Sequence, residues 1–511
     1  MSPGVGAAPI DSRPEGFPAL VRGSHAHSMT TVECEHVPCG RTADRVFARL
    51  AGRAGSCFLD SASDIGGLGR YSFIGFDPFL VIRTDGEGTT VTEDGVWRRE
   101  PGEPLEVLRA QLRRFSTEPV DGVPFPGGAV GGLAYEFGSR LERIPRPDGS
   151  MEGIPEMQWS FYDGVIMFER GVPGAWCVAN PVHRASGRRI LARLRDALEE
   201  GAENMEEEGD GSLEAGAVSN FDRAEYEAAV RSVKARIAAG EVYQVNLSQR
   251  FELPMRGDPY ALYRRLRALS PAPFACYLNA GDWQIASSSP ERFLRLTGRR
   301  VETRPIKGTR PRGRNEEEDH RLRDELWRSD KDRAELLMIV DLERNDLGRV
   351  CEIGSVCVDE LYRIETHPTV HHLVSTVSGE LKRGLDVIDC VRAAFPGGSI
   401  TGAPKISAQH AIAALEKGPR GVYTGSIGYL GFDGNADLNI AIRTIICREG
   451  RASYQVGGGI VWDSDPAREY EETLTKGLAM QAALRGVELQ TLREEIGGGD
   501  PSGLAGPGTC A

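Results

Sequence analysis

The sequence predicts an α/β protein, and three observations carry that prediction. Its 511 residues, 40% of them hydrophobic, supply a core large enough for two lobes or one large α/β body. Short apolar runs broken by turn residues fill the region before residue 198. In the second half, helix-spaced and strand-alternating segments lie side by side.

Residues 1–40, rich in Gly, Pro and His, read as a flexible N-terminus. Residues 41–198 read as a sheet-containing lobe through FLDS (58–61), GRYSFIGFDPFLVI (69–82) and the glycine-rich PFPGGAVGGLAYEFG (124–138). Residues 199–218 read as an acidic linker, since Glu199 to Glu214 carries eight acids and no base. Residues 219–488 form a second domain, and 489–511 read as a disordered, Gly-rich tail. Asn220 or Asp222 is placed to cap a helix carrying Tyr226, Val230, Val233 and Ile237, which Gly240 stops. A strand follows in EVYQVNLSQRF (241–251), with Tyr243, Val245 and Leu247 on one face and Gln244, Asn246 and Ser248 on the other. In isolation such a polar row would simply face water.

Net charge and cysteine usage exclude several function classes. A net charge of -13 leaves no basic excess to neutralise phosphates, against a nucleic-acid or anionic-membrane partner. The N-terminus lacks a basic-then-apolar run, and nowhere do about 18 apolar residues run together. The ten cysteines form no CxxC pair, so buried, reduced thiols in a cytoplasmic protein are expected.

Four clusters could carry chemistry. SSSPERF (287–293) and RPIKGTRPRG (304–313) offer a carboxylic acid, Glu291, and an amine, Lys307, on what read as neighbouring strands. Arg304, Arg310 and Arg312 surround the amine in sequence, and nearby positive charge depresses an amine's pKa and improves it as a nucleophile. DKDRAELLMIVDLERNDLGR (330–349) reads as a helix with Asp332 and Glu335 on one face; REYEETLTK (468–476) does the same for Glu469, Glu472 and Lys476. Carboxylates spaced this way on two helices suit Mg²⁺, a hard cation that keeps waters or a substrate carboxylate; a solvated charged face is the alternative for either helix alone. The glycine-rich turns FPGGSITGAPK (395–405) and QVGGGIVWDSDP (455–466) let backbone amides approach an anion, yet neither has the spacing of a phosphate loop.

Taken in order, YQVNLSQRF (243–251), SSSPERF, PIKGTRPRG (305–313), DRAELLMIVDLERNDLGRV (332–350), HHLVSTVSGEL (371–381), FPGGSITGAPKI (395–406), YTGSIGYL (423–430), IAIRT (440–444) and VGGGIVWDSDP (456–466) closely resemble the chorismate-utilising enzymes. That family holds anthranilate synthase large subunits, aminodeoxychorismate synthase component I, and isochorismate and salicylate synthases. The resemblance implies an anthranilate-synthase-like fold of packed antiparallel sheets flanked by helices, with residues 219–488 as the chorismate-binding catalytic domain and 41–198 as its N-terminal lobe. It implies Mg²⁺ held by Glu335 and Glu472, with Asp332 and Glu469 behind them. Arg443, Lys476 and the amides of Gly457, Gly458 and Gly459 would hold a substrate carboxylate, and Gly308, Thr309, His372, Ser399 and Tyr423 would line the pocket.

Two positions choose within the family. Water-adding members use a lysine base where this chain has Gln244, and Gln cannot take a proton from water. Anthranilate synthases typically read PIAGT where this chain reads PIKGT; the Lys307 amine is understood to attack ring C2 while Glu291 protonates the departing 4-hydroxyl. The resemblance therefore implies Mg²⁺-dependent amination of chorismate at C4, toward 4-aminobenzoate, with conversion to anthranilate as the alternative. No nucleophilic-Cys elbow with a downstream His-x-Glu is visible, so a separate glutamine amidotransferase partner is expected to supply ammonia. Asp60 stands where many relatives carry Glu at the edge of a tryptophan pocket, to which Phe274 is also assigned.

Overall fold

The computed structural model describes residues 31–147, 149, 153–199, 217–367 and 370–492. The expected flexible N-terminus up to residue 30, the acidic linker from 200 to 216 and the tail from 493 onward lie outside the described residues. At their edges the structure corrects the expected boundaries. Glu33–Val37 is an edge strand pairing with Ala175–Ala179, Val218–Ser219 pairs with Glu252 and Phe251, and Leu492 is buried.

Two 12-stranded sheets make up the framework, and every described strand pairing is antiparallel. The centre of the first runs Tyr71–Gly75, Cys57–Asp60, Phe274–Asn279, Gln284–Ser289, Thr444–Arg448, Arg451–Ile460, Gln244–Pro254. The second begins Ile306–Pro311, Val370–Glu380, Arg300–Arg304, Arg292–Thr297, Ala436–Asn439, Ser426–Gly431, Gly128–Leu133. Each sheet joins a block of strands from before the acidic stretch to a block from after it. The expected lobe and catalytic domain are therefore not separate bodies: Cys57–Asp60 hydrogen-bonds to Phe274–Asn279, and Gly128–Leu133 to Ser426–Gly431. One apolar core joins them, containing Leu80, Phe161, Val245, Leu294, Leu336 and Ile460.

Twice the chain passes from one sheet to the other at the same place. Ser289 ends a strand of the first sheet and Arg292 begins one of the second, with Pro290 and Glu291 between them; Pro290 cannot donate a ladder hydrogen bond, which helps end the pairing there. Asn439 to Thr444 makes the return crossing, with Arg443 at φ 49°.

Three helices pack against strands of these sheets. Arg223–Ala238 starts with a capping box between Asp222 and Glu225 and buries Tyr226, Val230 and Val233. Asp330–Val350 is capped by Ser329 and buries Leu336, Ile339 and Val340, as their spacing predicts. Pro466–Arg485 is capped by Asp465 and stopped by Gly486 at φ 68°. The described cysteines are free and mostly buried. Among the described residues no helix is long and apolar enough to cross a membrane.

Candidate active site

The polar row of the strand Gln244–Pro254 does not face water: Gln244, Asn246 and Ser248 are all buried. Their neighbour strand contributes Gly459 opposite Asn246, Gly458 opposite Leu247 and Gly457 opposite Ser248. Absent side chains let neighbouring polar groups approach this backbone. A Cβ at Gly459 would stand 2.7 Å from Gln244 Nε2 and 3.5 Å from Lys307 Nζ. One at Gly458 would stand 3.1 Å from Glu469 Oε2 and 3.7 Å from Glu472 Oε1, and one at Gly457 3.0 Å from the Tyr423 hydroxyl.

Lys307 projects from Ile306–Pro311 and donates to the Ser399 carbonyl at 2.9 Å. Glu291 is 4% exposed, and its Oε1 accepts from the Ile306 amide at 3.4 Å. The two are not on neighbouring strands, as the sequence suggested. Glu291 occupies the sheet crossing, and Lys307 lies on an edge strand paired with Val370–Glu380. Burial holds the Glu291 carboxyl above its usual range, against the opposing pull of Ser399, Lys307 and the Ile306 amide. Burial likewise pushes the Lys307 amine down, while Glu335, Glu291 and Glu472 push it up and Lys476 adds to the lowering. The cause is thus chiefly desolvation rather than the arginines nearby in sequence. Those are committed elsewhere: Arg304 to Glu365, Arg310 to Glu325 and Asp332, Arg312 to Asp319.

The two acidic helices bring Glu335 and Glu472 close enough for their charges to act on Lys307. Burial raises the Glu335 carboxyl, and the charges of Asp332 and Glu472 raise it further. Glu472 is held low, first by Lys476 at 2.7 Å. Lys476 also donates to the Gly457 carbonyl at 3.0 Å, and the Ser464 hydroxyl donates to Glu469 at 2.6 Å. Asp332 accepts from Arg310 at 3.1 Å and abuts Gly308, where a Cβ would fall 2.9 Å from the Asp332 Cβ; the φ of 78° at Gly308 also favours glycine.

At the other end, Arg443 Nη2 reaches His372 Nε2 at 3.5 Å, and His372 Nδ1 meets Thr309 Oγ1 at 2.9 Å. Burial alone draws the Arg443 guanidinium down to about 10; among the described residues no carboxylate offsets it. Burial and the Arg443 charge hold His372 well below its usual range, so this ring is neutral. Both amide atoms of Gln244 and Asn246 Nδ2 are buried without hydrogen-bond partners. A buried cation without an anion and a set of unpaired amides mark a site shaped for a polar, anionic ligand.

The profile of the chorismate binding enzymes matches residues 59–482. The chain belongs to this family. Aminodeoxychorismate synthase component 1 of Bacillus subtilis is 38% identical over 433 residues, covering 83% of this chain and 91% of that protein. Anthranilate synthase component 1 of Streptomyces coelicolor is 39% identical over 457 residues, 86% of each chain. The crystal structure of anthranilate synthase component I from Streptococcus pneumoniae matches with a TM-score of 0.71 at 32% identity, over 81% of this chain and 92% of that one. The menaquinone-specific isochorismate synthase from Escherichia coli shares the fold, with a TM-score of 0.67 at 16% identity, over 89% and 95%. This chorismate-binding enzyme is therefore of the anthranilate and aminodeoxychorismate synthase component I type.

Of the residues expected from the sequence, Glu291 and Arg443 lie at the sheet crossing, and Asp332, Glu335, Glu469, Glu472 and Lys476 on the two acidic helices. Gln244, Lys307, Gly308, Thr309, His372 and Gly457 to Gly459 lie on strands, and Ser399 and Tyr423 in other segments; three further residues stand among them. Asn246, beside the Tyr423 hydroxyl, was visible as part of the polar row. Glu343 lies two turns beyond Glu335 on the same helical face; it is 8% exposed, accepts from Thr303 at 3.0 Å, and burial with the nearby Glu291 charge raises its pKa well above normal. His367 packs edge-on against His372, and no sequence spacing announced it. Asp60 and Phe274 line one cavity, of about 270 Å³, together with Arg292. The Asp60 carboxylate turns instead to the Tyr263 hydroxyl, at 2.8 Å, and to Arg267.

Proposed function

We propose that this chain is the ammonia-using subunit of a 4-amino-4-deoxychorismate synthase, with Lys307 as nucleophile and Glu291 as general acid. The supporting observation is Lys307 itself, an amine with a lowered pKa beside a carboxyl with a raised one. Sequence identity does not choose between the two activities, since the Bacillus subtilis and Streptomyces coelicolor relatives are 38% and 39% identical.

In this reading Arg443 and Lys476 bind the side-chain carboxylate of chorismate, and Tyr423 and Thr309 orient the ring. The neutral Lys307 amine adds to ring C2 as Glu291 gives its proton to the 4-hydroxyl, which leaves as water. Such general-acid assistance is worth roughly 10²–10⁴-fold. Ammonia then adds at C4, the C2–N bond breaks to free Lys307, and Glu291 takes back the proton that ammonia sheds. Gln244, unable to act as a base toward water, leaves hydration disfavoured.

Glu335 and Glu472 would hold Mg²⁺, which supplies neutralisation of a substrate carboxylate. Their hard oxygens suit it, and a cation would relieve the repulsion by Asp332 and Glu472 that adds to burial in raising Glu335. Among the described residues no group of three or more His, Cys, Asp or Glu side chains converges as a metal site, so water and substrate oxygens would complete the shell. A glutamine amidotransferase partner would supply the ammonia.

The test is purified protein with chorismate, Mg²⁺ and ammonium chloride, followed by mass spectrometry. An amino-chorismate product, with pyruvate released only after an aminodeoxychorismate lyase is added, supports the reading. Immediate pyruvate with fluorescent anthranilate would assign the anthranilate synthase activity instead.

A further inference from the structure

Three histidines stand near the Arg443 end of the site, and their nitrogens are differently committed. His371 meets Thr366 Oγ1 at 2.9 Å through Nδ1 and Asp319 at 3.1 Å through Nε2. His372 uses Nδ1 on Thr309 and Nε2 on Arg443. His367 is different: it is 3% exposed, yet its Nε2 is buried without a hydrogen-bond partner.

The His367 ring is nevertheless held in place. It stands edge-on to His372, with centroids 4.8 Å apart and planes at 79°. Its backbone amide donates to the Val370 carbonyl at 2.7 Å, and its carbonyl accepts from Arg312 at 3.1 Å. Burial and the neighbouring Arg443 and His371 draw the imidazole down to about 4, so the ring is neutral near pH 7 and carries one N–H. A buried polar atom without a partner destabilises the folded chain. Next to an uncompensated guanidinium, an anionic ligand would relieve both.

We propose that His367 donates a hydrogen bond from Nε2 to the substrate carboxylate held by Arg443 and Lys476, making it a further substrate-binding residue. This rests on the reading of the Arg443 end as a carboxylate subsite. A phenylalanine at 367 keeps the ring and its edge-on packing but loses the donor, whereas glutamine keeps a donor near the Nε2 position.

The experiment compares wild type, His367→Phe and His367→Gln by chorismate consumption and by the thermal shift chorismate produces. In His367→Phe the KM should rise on the order of 10- to 100-fold, the worth of one hydrogen bond to an ionised group, with kcat within a few-fold. The ligand-free protein should melt no lower than wild type, while its chorismate-induced shift shrinks. His367→Gln should recover most of the affinity. A purely structural role would lower the ligand-free melting temperature and leave KM alone. An unchanged KM and thermal shift in a folded His367→Phe variant would overturn the proposal. Independently of any variant, the ¹⁵N resonances of His367 in histidine-labelled wild type should move on chorismate addition, and their constancy would also overturn it. If chorismate neither stabilises nor is consumed by the wild type, the substrate reading itself fails, which distinguishes the two.

Discussion

At the scale of residues, one physical cause acts in opposite directions on two side chains. Burial disfavours charge, so it lowers the Lys307 amine and raises the Glu291 carboxyl. Both shifts favour the protonation states that nucleophilic attack with acid assistance requires. Lys307→Ala should abolish aminodeoxychorismate formation while leaving the chorismate-induced thermal shift in place; product at the wild-type rate would remove the nucleophilic role. Glu335→Gln should move the Mg²⁺ titration of activity by roughly tenfold or more toward higher concentration. An unaltered titration would refute Glu335 as a ligand.

At the scale of elements, position comes from strand register and helix caps. The Gly457–Gly459 backbone lies against Gln244–Pro254, where absent side chains admit Gln244, Lys307, Tyr423 and the helix carrying Glu469 and Glu472. The helix Arg223–Ala238 packs against this strand but contributes none of the proposed ligands. Asp222→Ala should therefore lower stability by about 1 kcal/mol in urea unfolding, as loss of an N-cap does, and leave the KM for chorismate unchanged. Helices and caps were legible because 3.6-residue periodicity and capping residues are local. The solvent-facing expectation for Gln244, Asn246 and Ser248 failed because both faces of this strand are covered, which alternation along one segment cannot reveal.

At the scale of the molecule, sheets built from both halves tie the site to the N-terminal segment. Glu136, buried among residues remote in sequence, accepts from the amides of Arg420, at 2.7 Å, and Gly421, at 2.9 Å. Burial raises its carboxyl from 4.5 to about 7. The folded chain then keeps a proton that the unfolded chain releases near pH 4.5, so this group's contribution to stability falls as pH rises through that window and levels off above 7. The drop amounts to roughly 3 kcal/mol. Urea unfolding at pH 5 and pH 8 should show a smaller difference for Glu136→Gln than for wild type. An equal difference would mean that Glu136 does not titrate in this interval.

The sequence by itself determined the family, the acidic helices and the identity of the groups that meet in the site, because these reside in residue types and short spacings. It placed Glu291 and Lys307 on neighbouring strands, which the fold does not, and it misassigned the reason for the amine's shift. Charge close in sequence is not charge close in space: Arg304, Arg310 and Arg312 are neutralised by carboxylates, and desolvation dominates. Only the tertiary structure decided that strands from both halves of the chain share both sheets, and that Glu291 sits at a crossing between them. It alone left Arg443 without an anion and His367 with a nitrogen to spare, since burial and the pairing of polar groups depend on residues brought together from across the chain.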